Sequence, residues 1–299
     1  MMLHSLQGDL FPKPPFDFSK SLDFVGMFSP SEGEQTVSDL SFTRAIYLEN
    51  QTLAFRLKDE GTVSKPVLSY TLYSYEEIND EMKSAILHRI RFFLSLDDDL
   101  KPFYDLGSED PNFAPVLDEL YGLHQVKFLT PFEAAAWAVL SQRISMKVAH
   151  IMKNKLTEAV GDSIQIEGVD YKTFPSARQV KNLGVENLVS IIRNEIKSEY
   201  LIAVAEAFDR VDESFLRHGN IEEVKEWLLN IKGIGEWSAH LELIRGLGRM
   251  EEISGLDQTL LNCFKKFYGH VATEEQLKII ADGYREFKGY WSYYLRTVC

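Results

Sequence analysis

Between Ile221 and Phe264 the chain must turn back on itself, and that constrains everything around it. Val224, Leu228 and Leu229 share one face at helical spacing, which predicts a helix ending near Asn230. Ile231-Lys232-Gly233-Ile234-Gly235 cannot continue it, because Gly233 and Gly235 lack a Cβ and permit a sharp reversal. Glu236 then opens a second helix whose apolar positions are Ala239, Leu241, Ile244 and Leu247. A Gly-Ile-Gly turn presents backbone N–H groups at that helix's N-terminus. Such groups can hold a phosphate without any side-chain charge. Further on, Gly255-Leu256-Asp257-Gln258-Thr259-Leu260 is a helix start signal with Asp257 at the N-cap.

The 299 residues, 45% hydrophobic and 26% charged, suffice for a large core divided among two or three subdomains. No apolar run approaches the length of a membrane span, and no secretory pattern opens the chain. A cytoplasmic monomer is expected, nucleoid-associated if the source is prokaryotic. Two cysteines, Cys263 and Cys299, are too few for a four-cysteine zinc site or an iron–sulfur cluster, and a disulfide between them would be unusual in the cytosol. The net charge of −13 opposes binding to nucleic acid, but it is unevenly spread: −10 over residues 1–130 and −3 over residues 131–299. A local basic surface is therefore compatible with the second part, with weak, salt-sensitive nonspecific affinity.

Taken in order, residues 1–20 are expected to be irregular, since Pro12, Pro14 and Pro15 oppose helix. From Ser41 the apolar period becomes two: Ala45 to Leu48, then Leu53, Phe55 and Leu57, then Leu68, Tyr70 and Leu72, with Asp59-Glu60-Gly61 as a turn. An antiparallel meander is predicted. Helices follow, with Ile78, Met82, Ile86 and Ile90 on one face of the first. Asp97-Asp98-Asp99 reads as an acidic link and cap rather than a metal site. Thr130-Pro131-Phe132-Glu133 starts an alanine-rich helix with an N-cap, a proline and an acidic first turn. Ser141-Gln142-Arg143-Ile144-Ser145 interrupts it before another helix from Met146. Residues 162–170 are expected to be loop, and an aromatic helix from Tyr290 closes the chain. The predicted fold is α+β, mostly α: a small antiparallel β-sheet domain at 1–76, then a helical domain at 77–299 carrying the hairpin at 222–246.

Gly233-Ile234-Gly235, Asp257 and the Ser141–Ser145 junction together resemble the helix-hairpin-helix DNA glycosylases. Within them the chain looks most like DNA-3-methyladenine glycosylase II, the AlkA type, over most of its length. The resemblance implies a two-lobed helical domain with the active site between the lobes. It implies that Lys232, Gly233, Ile234 and Gly235 grip the backbone of damaged double-stranded DNA, and that the hairpin carbonyls can hold a monovalent cation. Asp257 would be catalytic, stabilising an oxocarbenium-like sugar and orienting water. Its plainer role, a helix N-cap, is compatible with that.

At the Trp237 position, bifunctional members of the family carry a lysine nucleophile. Tryptophan cannot form a Schiff base, but it can stack on an electron-poor flipped base. The resemblance thus implies a monofunctional, water-using enzyme of base excision repair that removes alkylated purines. Gln142 would reach into the lesion site, and Leu241 would stand where relatives often place a second aromatic. Arg143 would fill the gap left by the extruded nucleotide, where AlkA-like enzymes often have an apolar wedge. The structural alternatives are a core aromatic at Trp237 and simple capping by Gln142 and Arg143. The alternatives for function are an oxidised-purine glycosylase and a DNA-binding protein without catalysis. No metal-ligand cluster is seen among the seven histidines.

Overall fold

The computed structural model describes residues 2–27, 34–38, 40–253, 257–270 and 273–299. Gly255 and Leu256 of the helix start signal fall outside the described residues. Five strands form an antiparallel sheet: β1 (His4–Leu10), β2 (Gln35–Ser38), β3 (Ser41–Leu48), β4 (Gln51–Asp59) and β5 (Leu68–Ser74), in the order β1-β5-β4-β3-β2. The alternation of the sequence is the physical cause: Leu53, Phe55 and Leu57 of β4 and Leu68 and Leu72 of β5 are buried, along with Phe42 and Ile46 of β3. Helices α1 (Phe18–Met27) and α2 (Asp80–Phe93) cover that face with Leu22, Val25, Met82, Ile86 and Ile90.

Two departures from the sequence reading concern strands. His4–Leu10, expected to be irregular, pairs with β5 along its whole length, from His4 opposite Ser74 to Leu10 opposite Leu68. Its Ser, Gly and Asp residues carry little β-propensity, so only the distant partner makes it a strand. Residues 162–170, expected to be loop, contain most of a β-hairpin, β6 (Ser163–Ile166) and β7 (Val169–Lys172). Glu167 and Gly168 both take positive φ, 53° and 85°, as a tight hairpin turn demands. The hairpin's Ile164, Ile166 and Tyr171 cluster with Ala45 and Ala54 of the sheet.

The helical part has two cores. One lies within residues 132–247 and is built on α5 (Pro131–Ser141), α6 (Met146–Val160), α7 (Ala177–Ile192), α8 (Glu195–Phe208), α9 (Glu213–His218), α10 (Ile221–Leu229) and α11 (Glu236–Leu241). Thr130 caps α5 through Glu133 N–H, and Pro131 to Leu140 are buried on every side, so α5 is the axle of this lobe. The other core joins α3 (Lys101–Ser108) and α4 (Ala114–Glu119) to α12 (Gln258–Tyr268), α13 (Glu274–Asp282) and α14 (Lys288–Thr297). Phe103, Phe113, Tyr290, Trp291 and Tyr294 dominate it.

The three aspartates at 97–99 are engaged locally: Asp97 by Arg91, Asp98 by the Tyr290 hydroxyl and Asp99 by Lys101 N–H. Cys263 of α12 and Cys299 are paired as a disulfide with Cα atoms 5.4 Å apart. That corrects the expectation drawn from the cytosolic setting, because the packing of α12 on α14 brings the two within bridging distance.

Candidate active site between the helical lobes

The hairpin between α10 and α11 is built on two glycines that differ in kind. Gly233 has φ +98°, and a Cβ there would lie 2.5 Å from the Tyr200 side chain of α8. Gly235, at φ −108°, caps α11 in extended geometry, and a Cβ on it would meet nothing within 4 Å. Helix α11 is short and passes directly into a π-helical turn, Glu242–Gly246.

Trp237, one residue into α11, is 46% exposed, far more than a core aromatic should be. It stands where three cavities meet. The first, about 820 Å³, runs between the hairpin and the α5–α6 junction, past Gln142, Arg143, Tyr200 and Gly233 to Ser238. The second, about 260 Å³, lies between the lobes. One wall of it is Trp237, His240, Leu241, Ile244 and Arg245; the other is Asp257 with Tyr293, Arg296 and Thr297 of α14; Phe24 of α1 closes it. The third, about 640 Å³, continues past His240 and Asp257 toward Lys225, Lys278 and Lys288.

Asp257 is the N-cap of α12: its Oδ1 accepts Leu260 N–H at 3.0 Å. The same oxygen accepts Nη2–H of Arg296 at 3.0 Å. Among the described residues both bonds fall on Oδ1. Arg296 had no signal in the sequence: it lies in the aromatic closing helix, and only the packing of α14 on α12 brings it to Asp257. Arg245 is a second cation at the pocket. Its Nε–H donates to Val126 O at 3.0 Å, and its guanidinium lies 4.9 Å from the Phe24 ring centroid. Burial lowers its pKa to about 10, which keeps it charged at neutral pH.

The structure brings Asp257, Trp237 and Leu241 to one cavity and places Gln142 in another. Gln142 Nε2–H donates to Gly233 O at 2.8 Å and to Ser238 Oγ at 3.0 Å, so its amide is committed to the hairpin. Arg143 follows at φ +54° and lines the same large cavity. Lys232 Nζ donates to Glu199 at 2.6 Å, and this contact raises its pKa. His240 is partly exposed, and its Nδ1 lies 2.8 Å from Glu236 O. The hairpin carbonyls of Ile231 and Gly233 already accept Ile234 N–H and the Gln142 amide. Among the described residues no group of acidic, histidine or cysteine side chains could hold a metal, and no helix is long and apolar enough to cross a membrane.

No family model matches the chain. It is 28% identical over 239 residues to the DNA-3-methyladenine glycosylase of Bacillus subtilis, covering 79% of each chain. The 3-methyladenine DNA glycosylase of Archaeoglobus fulgidus has a similar fold, with a TM-score of 0.81, 22% identity and 97% of each chain covered. The 8-oxoguanine glycosylase/lyase of Clostridium acetobutylicum, solved in complex with double-stranded DNA, shares the fold at a TM-score of 0.70 with 13% identity, over 100% of this chain and 97% of its own.

Proposed function

We propose that this chain, a helix-hairpin-helix glycosylase of the AlkA type, excises alkylated purines from double-stranded DNA by hydrolysis, as a cytoplasmic monomer without lyase activity. Its kinship with DNA-3-methyladenine glycosylases supports the base excised. The observation that carries the chemistry is the facing pair across the 260 Å³ pocket, Trp237 on one lobe and Asp257 on the other.

A base everted from the duplex enters that pocket with its ring against Trp237. A positively charged alkylpurine gains most from the indole face, and it is also the better leaving group. Breaking the N-glycosidic bond leaves positive charge on the sugar. Asp257, whose bonds to Arg296 and Leu260 N–H both fall on Oδ1, stabilises that charge and orients the attacking water through Oδ2. Arg296 and Leu260 N–H hold Oδ1, so the carboxylate is fixed before substrate arrives. The hairpin amides and Lys232 take phosphates on one flank, and Arg143 occupies the gap in the helix. Lys232 must exchange Glu199 for phosphate in doing so.

The absence of lyase activity rests on the pocket's chemistry. Among the described residues no lysine lines the 260 Å³ cavity, so none of them places an amine there to attack the sugar. Lys225, Lys278 and Lys288 lie in the neighbouring groove.

Base release from duplex DNA treated with a methylating agent tests the whole reading. Wild type should release methylated purines and leave alkali-labile sites with no direct strand breaks. Asp257→Asn should lose about two orders of magnitude or more in rate, as expected on removing a group that acts on developing charge. Undiminished release by Asp257→Asn would remove that residue from its role. A borohydride-trapped adduct with wild type would overturn the monofunctional part alone.

A further inference from the structure

Lys197, on α8, is buried, yet its side chain serves the loop that carries Arg143. Its Nζ–H groups donate to Val139 O at 2.7 Å and Gln142 O at 2.9 Å. These carbonyls belong to the C-terminal end of α5, where helix geometry leaves oxygens without partners and the negative end of the helix dipole lies. Burial lowers the ammonium's pKa, so those carbonyls are its compensation. Gln142 is the last residue before Arg143, whose φ of +54° is a conformation that a residue with a side chain rarely adopts. The Gln142 amide continues the line of bonds to Gly233 O and Ser238 Oγ. One chain of hydrogen bonds therefore runs from α8 through the α5–α6 junction to the hairpin.

We propose that Lys197 is a positioning residue for nucleotide eversion: it fixes the backbone from which Arg143 projects and ties it, through Gln142, to the hairpin. This rests on the wedge role given to Arg143 above. Lys197 acts through the loop and touches no reacting atom. Its effect belongs to the step in which a base leaves a paired helix, and that step is absent when the lesion lies in a single strand.

The test is single-turnover excision of 7-methylguanine from one oligonucleotide, presented first as a duplex and then as a single strand. Wild type, Lys197→Met, Lys197→Arg and Arg143→Ala are compared. Lys197→Met should lose roughly ten- to hundredfold on the duplex, the cost of a misplaced group, with a much smaller change on the single strand. Arg143→Ala should show the same selective loss, and Lys197→Arg should recover most of the duplex rate. An equal loss on both substrates would assign Lys197 to the fold alone and overturn the proposal, as would full activity of Lys197→Met. A duplex-selective loss in Arg143→Ala that Lys197→Met does not share would sink the proposal and leave the wedge standing. No selective loss in Arg143→Ala would overturn the wedge and the proposal with it. Should Lys197→Met fold poorly, Lys197→Gln, which keeps one neutral donor, is measured in its place.

Discussion

Gly233 and Gly235 stand two residues apart and answer to different constraints, so replacing each by alanine separates folding from binding. At Gly233 an added methyl would meet Tyr200 in a backbone conformation of positive φ. Gly233→Ala should cost about 1–3 kcal/mol of stability, read as a lowered melting temperature. At Gly235 the methyl would enter open space on the groove side of the hairpin. Gly235→Ala should melt like wild type but bind duplex DNA several-fold more weakly, measured by fluorescence anisotropy, because the phosphate can no longer approach the amides. Unchanged affinity would take the hairpin off the path of the backbone. The sequence identifies both glycines as turn formers, but what separates them is Tyr200, contributed by another helix. Arg296 was illegible for the same reason, since no local pattern marks a side chain that acquires its meaning by packing. Gln142 was read as a candidate for the lesion site, and its Nε2–H groups bond to Gly233 O and Ser238 Oγ of the hairpin.

At the scale of elements, the helix after the hairpin shows what periodicity catches and what it misses. Of the apolar positions Ala239, Leu241, Ile244 and Leu247, all but Leu241 are buried, and Leu241 is half-buried at the pocket wall. The change to π geometry at Glu242–Gly246 leaves no sequence trace, and it encloses Glu242 completely. Neither carboxyl oxygen has a hydrogen-bond partner among the described residues. Burial, reinforced by Glu213, raises the pKa of Glu242 well above 4.5. The sign follows directly. The folded state keeps a proton that the unfolded chain releases, so this group's contribution is fully present below pH 4.5 and is lost as pH rises through the folded pKa. Glu242→Gln stays neutral throughout and should remove that loss. The melting temperature of the variant relative to wild type should therefore climb between pH 5 and pH 8, by roughly 2 °C or more. A constant difference across that range would mean that Glu242 is ionised in the folded protein. The β6–β7 hairpin was missed for another reason: its strands are short, and Glu167-Gly168 is a weaker turn signal than Asn-Gly or Asp-Gly.

At the scale of the molecule, the sheet and the helices are joined by charge in a dry place. Arg44 of β3 meets Glu133 of α5 with Nη2 at 2.6 and 2.8 Å from the two carboxylate oxygens. Glu34, beside β2, lies 3.3 Å from Arg44 and also pairs with Lys153 of α6, which is 3.4 Å from Glu133. All four side chains are at most 3% exposed. The sequence gives no hint of this cluster, because its members come from four segments and each looks like an ordinary surface charge. Desolvating four ions is expensive, and the mutual pairing offsets much of it only while the set is complete. Glu133→Ala removes the carboxylate that Arg44 and Lys153 share with Glu34 and should cost about 3–5 kcal/mol, enough to lower the denaturant midpoint markedly. Replacing Arg44 and Glu133 together by Met and Leu should cost much less than the single change, since no charge is then stranded between them. Because α5 runs from this cluster to Gln142 and Arg143, the single variant should also excise from duplex DNA more slowly at temperatures where it is still folded. A cost below about 1 kcal/mol for Glu133→Ala would show that water reaches the cluster and that packing, not charge, holds the sheet against the helical lobe.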